Sequence, residues 1–229
     1  MKHDRILRAS PGAADVPRRG AAMEGAGRVF LASVPNSTGI RGRVVVIGGG
    51  MAGATVAKYL RAWGGTGVAV TLIERDAAYT SNVMSNRVLS GERTLHSLQC
   101  TYAALASRYG VKLVRGDVVA IDPHARDVTL ASGSRLAYDR LVIAPGVDFD
   151  ALPGLESAAA RARVPHAWKT GPQTTALRAM ITAMSPGGVF VLGIPAGPCR
   201  YPAAAYERAC VVADWLERHR PGSKVVVLD

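Results

Sequence analysis

The stretch of residues 43–74 constrains the fold of this chain more than any other. Its first part, residues 44–47, is a β-branched run with no polar interruption, which is typical of a strand buried on both faces of a sheet. Apolar residues then recur at helical intervals, and a second apolar run covers residues 68–73. The order strand, helix, strand predicts a βαβ unit with parallel strands.

Three glycines lie between the first strand and the helix at the spacing G-x-G-x-x-G. Gly48 permits the tight turn, Gly50 leaves the backbone open to a pyrophosphate, and Gly53 allows close packing of helix on strand. The helix N-terminus offers free N–H groups to phosphates. Glu74 follows the glycines by about 20 residues, where a carboxylate can accept hydrogen bonds from a ribose. The unit therefore predicts a dinucleotide site, because a simple glycine-rich connector would leave Glu74 unexplained.

The composition argues against several other kinds of site. Cys100, Cys199 and Cys210 are too few for a disulfide scaffold, and no residues have the spacing of metal ligands. No apolar run reaches the length of a membrane span, so we expect a chain that does not span the membrane. The net charge is +11, but no basic helix with interleaved aromatic residues accompanies it, so we expect no nucleic-acid partner.

Residues 1–40 are rich in glycine, alanine, proline and arginine and sustain no hydrophobic period, which predicts a disordered leader. The pair Arg18 and Arg19 suggests a twin-arginine export signal. Glu24 and Arg28, however, interrupt the apolar segment that such a signal needs. The sequence leaves both an export signal and a wrongly assigned start open.

Further elements are predicted around the first unit. A polar loop at residues 82–86 leads into a short helix, and this loop either lies along an extended cofactor or is an ordinary surface connection. Residues 95–109 have the periodicity of a helix. Short β-branched runs between turns predict strands at residues 111–114, 117–121, 128–130, 136–138 and 141–143. We expect the middle three of these strands to form a small antiparallel group.

A linker at residues 149–160 leads to a second predicted βαβ unit. Its elements are expected to be a helix at 173–184, a strand at 189–192, a helix at 203–219 and a strand at 224–228. Pro195 and Pro198 lie in its strand-to-helix turn and cannot donate backbone N–H groups to a phosphate. The second unit is therefore not expected to bind a nicotinamide cofactor.

From residue 43 onward the chain resembles the N-terminal part of the flavoprotein subunit of flavocytochrome c sulfide dehydrogenase. The motifs are V-V-V-I-G-G-G-M-A-G-A-T-V-A-K-Y-L, M-S-N-R-V-L-S-G, Y-D-R-L-V-I-A-P-G, P-H-A-W-K-T-G-P-Q-T and Y-E-R-A. The first and third are shared by many two-dinucleotide flavoproteins, whereas P-H-A-W-K and Y-E-R-A are far more specific. The resemblance implies FAD on the first unit, oxidation of sulfide at the flavin, a cytochrome c subunit as electron acceptor and a periplasmic location.

The expected fold is α/β, of the FAD/NAD(P)-binding Rossmann-like type found in two-dinucleotide flavoproteins, and truncated. We assign residues 1–40 to the leader, 41–149 to an incomplete FAD-binding Rossmann-like domain and 150–229 to a second incomplete Rossmann-like domain. The last strand ends near Asp229, where a βαβ unit would continue. We therefore expect a piece of a longer protein, and little or no sulfide oxidation by the piece alone.

The resemblance implies FAD contacts along the first domain, in addition to those of the glycine loop. The expected contacts are Gly48, Gly50, Met51, Ala52, Gly53, Glu74, Arg75, Asn82, Val119, Ala144 and Gly146. In the family, covalent attachment of FAD uses a cysteine at the position of Asn82. An amide cannot form that thioether, so we expect FAD to be bound non-covalently.

Cys199 and Glu207 are the candidate catalytic residues. Cys199 is either a sulfur beside the flavin that handles sulfide sulfur or an unpaired thiol on a turn. The resemblance places the family's redox cysteine two residues later, at Tyr201, which leaves this choice open. Glu207 resembles an acid that moves protons near the flavin. Its alternative role is to stabilise the first turn of its helix through the helix dipole.

The remaining cysteines and two motif residues are interpreted as structural. Cys100 and Cys210 fall on apolar helical positions and are expected in the core. His166 has no visible base partner and is assigned no catalytic role, and Trp168 is expected to serve packing.

Two further functions remain open beside a sulfide dehydrogenase that reduces cytochrome c. The first is a non-catalytic remnant that retains only an ADP- or FAD-binding unit. The second is a relative of the sulfide:quinone type within the pyridine nucleotide-disulfide oxidoreductases.

Overall fold

The computed structural model describes residues 39–150, 152–197, 201 and 203–229. Residues 1–38, which carry nearly all of the predicted leader, lie outside the described residues, as does Cys199. The described part contains two βαβ units in succession, in the order that the sequence predicts.

The helices and strands are numbered here in chain order. The first unit and its extension contain β1 (Gly42–Ile47), α1 (Met51–Gly64), β2 (Val68–Glu74), β3 (Ala78–Thr80), α2 (Asn86–Ser90), β4 (Gln99–Thr101), α3 (Ala103–Tyr109) and β5 (Lys112–Arg115). The chain continues through β6 (Val118–Asp122), β7 (Asp127–Leu130), β8 (Arg135–Ala137) and β9 (Arg140–Ile143). The last part contains α4 (Ala158–Arg163), α5 (Pro172–Ala183), β10 (Val189–Gly193), α6 (Ala203–His219) and β11 (Lys224–Leu228).

A parallel sheet with the strand order β5-β2-β1-β9 forms the centre of the first unit. Its central strand β1 buries both of its faces, as the uninterrupted β-branched run predicts. Val44 and Val46 pack with Ala57 of α1 on one face, and Val45 belongs to a separate core cluster on the other. Successive side chains of a strand point to opposite faces, so this run needs a layer on each side.

The second layer is the predicted antiparallel group, which the structure confirms. Strands β6, β7 and β8 form a three-stranded antiparallel sheet. Val128 and Leu130 of β7 pack with Val45 and Ile73 of the parallel sheet. The group therefore covers the sheet face that α1 leaves open.

The prediction of a helix over residues 95–109 is wrong for the first half of that range. His96–Leu98 is one 3₁₀ turn, β4 pairs antiparallel with β3, and only Ala103–Tyr109 is α-helical. Pairing with β3 satisfies main-chain N–H and C=O groups of β4, and tertiary context of this kind overrides a weak helical propensity.

The second unit consists of the parallel pair β10 and β11 with α5 and α6 packed against it. Its core includes Leu177 and Ile181 of α5, and Val212 and Leu216 of α6. Leu89 of α2 belongs to the same core, so α2 joins the two units. The segment predicted as a linker ends in helix α4, whose first turn is capped by the hydroxyl of Ser157.

Cys100 and Cys210 are both exposed, so the prediction that they lie in the core is wrong. Cys100 lies in β4, whose residues are all exposed. Cys210 follows the buried Ala209 on α6. One residue turns an α-helix by about 100°, which carries the Cys210 side chain off the buried face.

No helix in the described ranges has both the length and the apolar character needed to cross a membrane.

Candidate functional site

The glycine loop lies at the C-terminal edge of the parallel sheet, between β2 and β9. Gly48 has φ 93°, and its N–H donates to the carbonyl oxygen of Ile73 over 2.9 Å. A Cβ at Gly48 would overlap the carbonyl group of Ala144, which follows β9. Gly48 therefore makes the tight turn that the sequence predicts for it, and the structure adds a close approach to the backbone of Ala144.

Gly53 and Gly50 differ in what surrounds them. A Cβ on Gly53 would overlap the carbonyl oxygen of Gly48, so only glycine lets α1 pack this closely on the loop. A Cβ on Gly50 would meet no atom within 4 Å. This open space in front of the loop leaves room for a pyrophosphate to approach the backbone.

The 14-residue helix α1 begins immediately after Gly50, which is its N-cap residue. The carbonyl oxygen of Gly50 accepts the first helical hydrogen bond, from Ala54. The N–H groups of the first turn have no partner within the helix, and they carry the positive end of its dipole. Met51 and Ala52 are exposed there, so the predicted contact surface is open to a ligand.

Glu74 binds the glycine loop directly. Its carboxylate accepts hydrogen bonds from the N–H groups of Gly49 (2.5 Å), Arg75 (2.8 Å) and Asp76 (3.0 Å). A carboxylate has about four acceptor positions, so these bonds leave capacity for a ribose hydroxyl. The structure thus gives Glu74 a role that the sequence did not indicate, which is to fix the position of the loop.

Tyr102 is a residue of this site that sequence reasoning missed. Its hydroxyl donates to the carbonyl oxygen of Gly49 over 3.0 Å, and its ring is buried beneath the loop. Burial raises the pKa of the Tyr102 phenol, and the negative charge of Glu74 raises it further. The phenol therefore stays protonated and remains a donor. No local motif marks it, because it reaches the loop only through the β3–β4 pair that precedes α3.

A cavity of about 400 Å³ opens beside the loop, between the ends of β2 and β5. Its lining includes Glu74, Tyr102 and Arg115. The exposed Arg75 borders this region, since its carbonyl oxygen accepts a hydrogen bond from Arg115 Nε (3.1 Å). Glu74, the acid predicted to hold a ribose, thus lines an open pocket next to the glycine loop.

Three other predicted contacts lie around the same edge of the sheet. The N–H of Ala144 donates to Ile47 (2.8 Å), and Gly146 has φ 84° with open space around it. Val119 is 63% exposed on β6. That strand follows Gly116, whose N–H donates to the main chain of Glu74 over 3.0 Å.

Asn82 joins the first unit to the loop of residues 165–170. Its exposed side chain accepts a hydrogen bond at Oδ1 from the N–H of Thr170 over 2.9 Å. The Thr170 hydroxyl is buried and has no hydrogen-bond partner among the described residues. An unsatisfied buried hydroxyl beside Asn82 fits a site that is completed by a ligand.

Glu207 and Arg208 are neighbours on α6 with opposite environments. The Glu207 side chain is exposed, whereas Arg208 is only 2% exposed. Arg208 donates to Asn86 Oδ1 (3.0 Å) and to the carbonyl oxygens of His166 (2.5 Å) and Ala167 (3.0 Å). Its guanidinium lies 3.4 Å from the ring centroid of Trp168, which confirms a packing role for that ring.

The structure places the predicted ADP-binding residues near one another, and it tests neither their role nor that of the catalytic pair. Gly48 and Gly50 lie in the turn before α1, Gly53 lies in the first turn of α1, and Glu74 is hydrogen-bonded to the turn at Gly49. Glu207 lies on α6, and Cys199 falls outside the described ranges. Within those ranges no group of histidine, cysteine, aspartate or glutamate residues could hold a metal ion.

Two family models match the chain. Residues 42–193 match the model described as pyridine nucleotide-disulphide oxidoreductase. Residues 174–229 match the model described as the central part of the sulfide dehydrogenase (flavocytochrome c) flavoprotein chain.

Curated relatives with similar sequences include a sulfide-quinone reductase and a ferroptosis suppressor protein. The sulfide-quinone reductase of Aquifex aeolicus (strain VF5) is 30% identical over 171 residues, which cover 74% of this chain and 38% of the relative. The ferroptosis suppressor protein 1 of Taeniopygia guttata is 35% identical over 108 residues, which cover 46% of this chain and 27% of the relative. The chain therefore spans well under half the length of these two relatives.

Solved structures share the α/β Rossmann-like fold. The sulfide:quinone oxidoreductase from the hyperthermophilic bacterium Aquifex aeolicus has a TM-score of 0.61 at 26% identity, over 81% of this chain and 43% of that chain. The covalent putidaredoxin reductase–putidaredoxin complex contains a chain with a TM-score of 0.61 at 21% identity, over 82% of this chain and 50% of that chain. The match to the first family model covers more than half of the sequence. The chain belongs to the pyridine nucleotide-disulphide oxidoreductase family, whose flavoprotein members bind FAD.

Proposed function

We propose that this chain forms the FAD-binding part of a flavoprotein that oxidises sulfide. One observation carries the proposal, the match of residues 174–229 to the flavoprotein chain of sulfide dehydrogenase. The similarity to a sulfide-quinone reductase supports the same substrate independently.

The glycine loop and Glu74 are proposed to hold the ADP half of FAD. The open space at Gly50 and the N–H groups at the start of α1 would receive the pyrophosphate, and Glu74 would accept a bond from a ribose hydroxyl. Bound FAD would supply the redox chemistry by taking two electrons from sulfide sulfur.

The two catalytic candidates, Cys199 and Glu207, are proposed to bind the sulfur and to accept the proton when sulfide is oxidised. Joining the Cys199 thiolate and HS⁻ through an S–S bond is a two-electron oxidation, which gives the persulfide anion Cys–S–S⁻ and releases the proton of HS⁻. Bound FAD would serve as the two-electron oxidant, and the exposed carboxylate of Glu207 would take the proton. Cys199 enters this proposal from its sequence position alone.

Two acceptors are supported about equally. The family description of residues 174–229 names flavocytochrome c, which favours a cytochrome c partner and, with it, a periplasmic location. The relative from Aquifex aeolicus is a sulfide-quinone reductase, which favours a quinone.

The substrate and acceptor can be tested in one anaerobic experiment on protein that contains this chain and is loaded with FAD. Sulfide is expected to bleach the visible flavin absorbance, and either oxidised cytochrome c or a soluble quinone is expected to restore it. Glu207→Gln should slow bleaching by about 100-fold or more, the lower end of a general acid–base contribution. The matched control is Glu217→Gln, an exposed glutamate of the same helix. Absence of bleaching would instead support a non-catalytic FAD-binding unit.

The open space at Gly50 predicts that Gly50→Val weakens FAD binding strongly without destabilising the protein. Gly50 has φ −66° and open space around it, so the fold tolerates a side chain that the pyrophosphate does not. We expect the dissociation constant, measured by quenching of flavin fluorescence, to rise by about 100-fold or more, which is roughly 2.7 kcal/mol.

The matched control for Gly50→Val is Gly193→Val. Gly193 lies at the end of β10 and also has no atom within 4 Å of a built Cβ. Both variants should have melting temperatures close to that of the parent protein, and only Gly50→Val should lose affinity for FAD. Unchanged FAD affinity in Gly50→Val would refute the proposed position of the pyrophosphate.

FAD is proposed to be held non-covalently, because the Asn82 amide offers no sulfur for a thioether. Acid precipitation should therefore release all of the flavin into the supernatant. Flavin fluorescence that stays with the polypeptide on a denaturing gel would contradict this proposal.

A further inference from the structure

We infer that Arg208 is a positioning residue of the proposed flavin site, where it fixes the orientation and the tautomer of the His166 ring. This inference rests on the proposed function in one respect only, namely that the loop of residues 165–170 borders the bound flavin.

Arg208 combines nearly complete burial with neutral partners. Its three hydrogen bonds go to an amide oxygen of Asn86 and to two main-chain carbonyl oxygens, at His166 and Ala167. Burial lowers the pKa of its guanidinium to about 10, which still leaves the group charged at neutral pH. Replacing a buried, hydrogen-bonded cation of this kind leaves its acceptors unsatisfied, so the arrangement is costly to disturb.

The three segments that meet at Arg208 are distant in sequence. Asn86 begins α2, Arg208 lies in α6, and His166 and Ala167 belong to the loop between α4 and α5. They carry the motifs M-S-N-R, Y-E-R-A and P-H-A-W-K. The most specific motifs of the sequence thus converge on one guanidinium.

The loop held in this way touches one predicted cofactor contact, Asn82, and packs on the segment after another, Gly146. The N–H of Thr170 donates to Asn82 Oδ1 over 2.9 Å. The His166 ring lies 4.5 Å from the ring centroid of Phe149, three residues after Gly146. His166 therefore belongs to the loop that contacts Asn82, and its own ring packs on the segment that follows Gly146.

The main-chain bonds of Arg208 hold the turn that orients the His166 ring. Ala167 has φ 50°, a left-handed conformation that is unfavourable for a residue with a Cβ. Within this turn the N–H of Trp168 donates to Nδ1 of His166 over 3.1 Å. Because Nδ1 accepts this bond, the proton of the neutral imidazole resides on Nε2.

Charges around the ring favour the same neutral form. Burial lowers the pKa of His166, and the positive charge of Arg208 lowers it further, while Asp148 acts in the opposite direction. Asp148 is itself 4.0 Å from the ammonium group of Lys169, which moderates its effect. Arg208 thus contributes both the geometry and the electrostatics that keep His166 neutral with its proton on Nε2.

The test is ¹⁵N–¹H NMR of the histidine side chains in the flavin-free chain, with His166 assigned through His166→Gln. The parent protein should show Nδ1 as the unprotonated nitrogen and a pKa below the ordinary histidine value. In Arg208→Met the pKa should rise and both tautomers should appear. Arg208→Lys should retain the low pKa of His166, because the lysine keeps the positive charge. It should lose the single His166 tautomer, because an ammonium group lacks the planar set of N–H donors with which the guanidinium holds the turn.

A matched control separates positioning from general stability. Arg178 also places its guanidinium against a tryptophan, Trp215, and donates to a main-chain oxygen, that of Leu89. Arg178→Met should lower the melting temperature while leaving the tautomer and the pKa of His166 unchanged.

Two results would overturn the inference. One is a proton on Nδ1 of His166 in the parent protein, a measurement that needs no variant to fold. The other is a folded Arg208→Met protein whose His166 pKa and tautomer match those of the parent. FAD titration of the parent is a separate measurement, and its failure would refute the proposed function while leaving the histidine result intact.

Discussion

The contact between Gly53 of α1 and the carbonyl oxygen of Gly48 sets the position of the other groups at this edge of the sheet. Because no Cβ fits between them, the helix starts directly above the end of β1 and aims its unpaired N–H groups at the open space around Gly50. Glu74 and Tyr102 then hold Gly49 from both sides, through its N–H and its carbonyl oxygen. The glycine loop is thereby held in place without a ligand, which would reduce the cost of ordering if the proposed pyrophosphate binds there.

A second constraint operates between the units. Arg208 connects α6, α2 and the loop of residues 165–170, and that loop in turn contacts Asn82. The two regions are therefore linked through hydrogen bonds rather than only through the shared core around Leu89. The specific motifs of the sequence acquire a physical meaning in this arrangement, since they supply the donor and the acceptors of one buried cluster.

The sequence predicted the βαβ units, the antiparallel group, the turn at Gly48 and the close packing at Gly53, because these follow from periodicity and local backbone geometry. It failed where pairing between distant segments decides the outcome. β4 became a strand because it pairs with β3, and Cys100 is exposed as a result. Tyr102 and Arg208 were missed for the same reason. Tyr102 bonds to Gly49, 53 residues away, and Arg208 bonds to Asn86, 122 residues away, and no local pattern in the sequence indicates either contact.

The central claim is that the glycine loop and Glu74 bind the ADP half of FAD, and competition binding tests it most directly. FAD is titrated into the chain in the presence of either ADP or FMN. ADP corresponds to one half of the cofactor and FMN to the other. The account predicts that ADP displaces FAD at this site and that FMN competes far more weakly, because FMN lacks the adenosine and the second phosphate of the pyrophosphate. Displacement by FMN with no effect of ADP would contradict it.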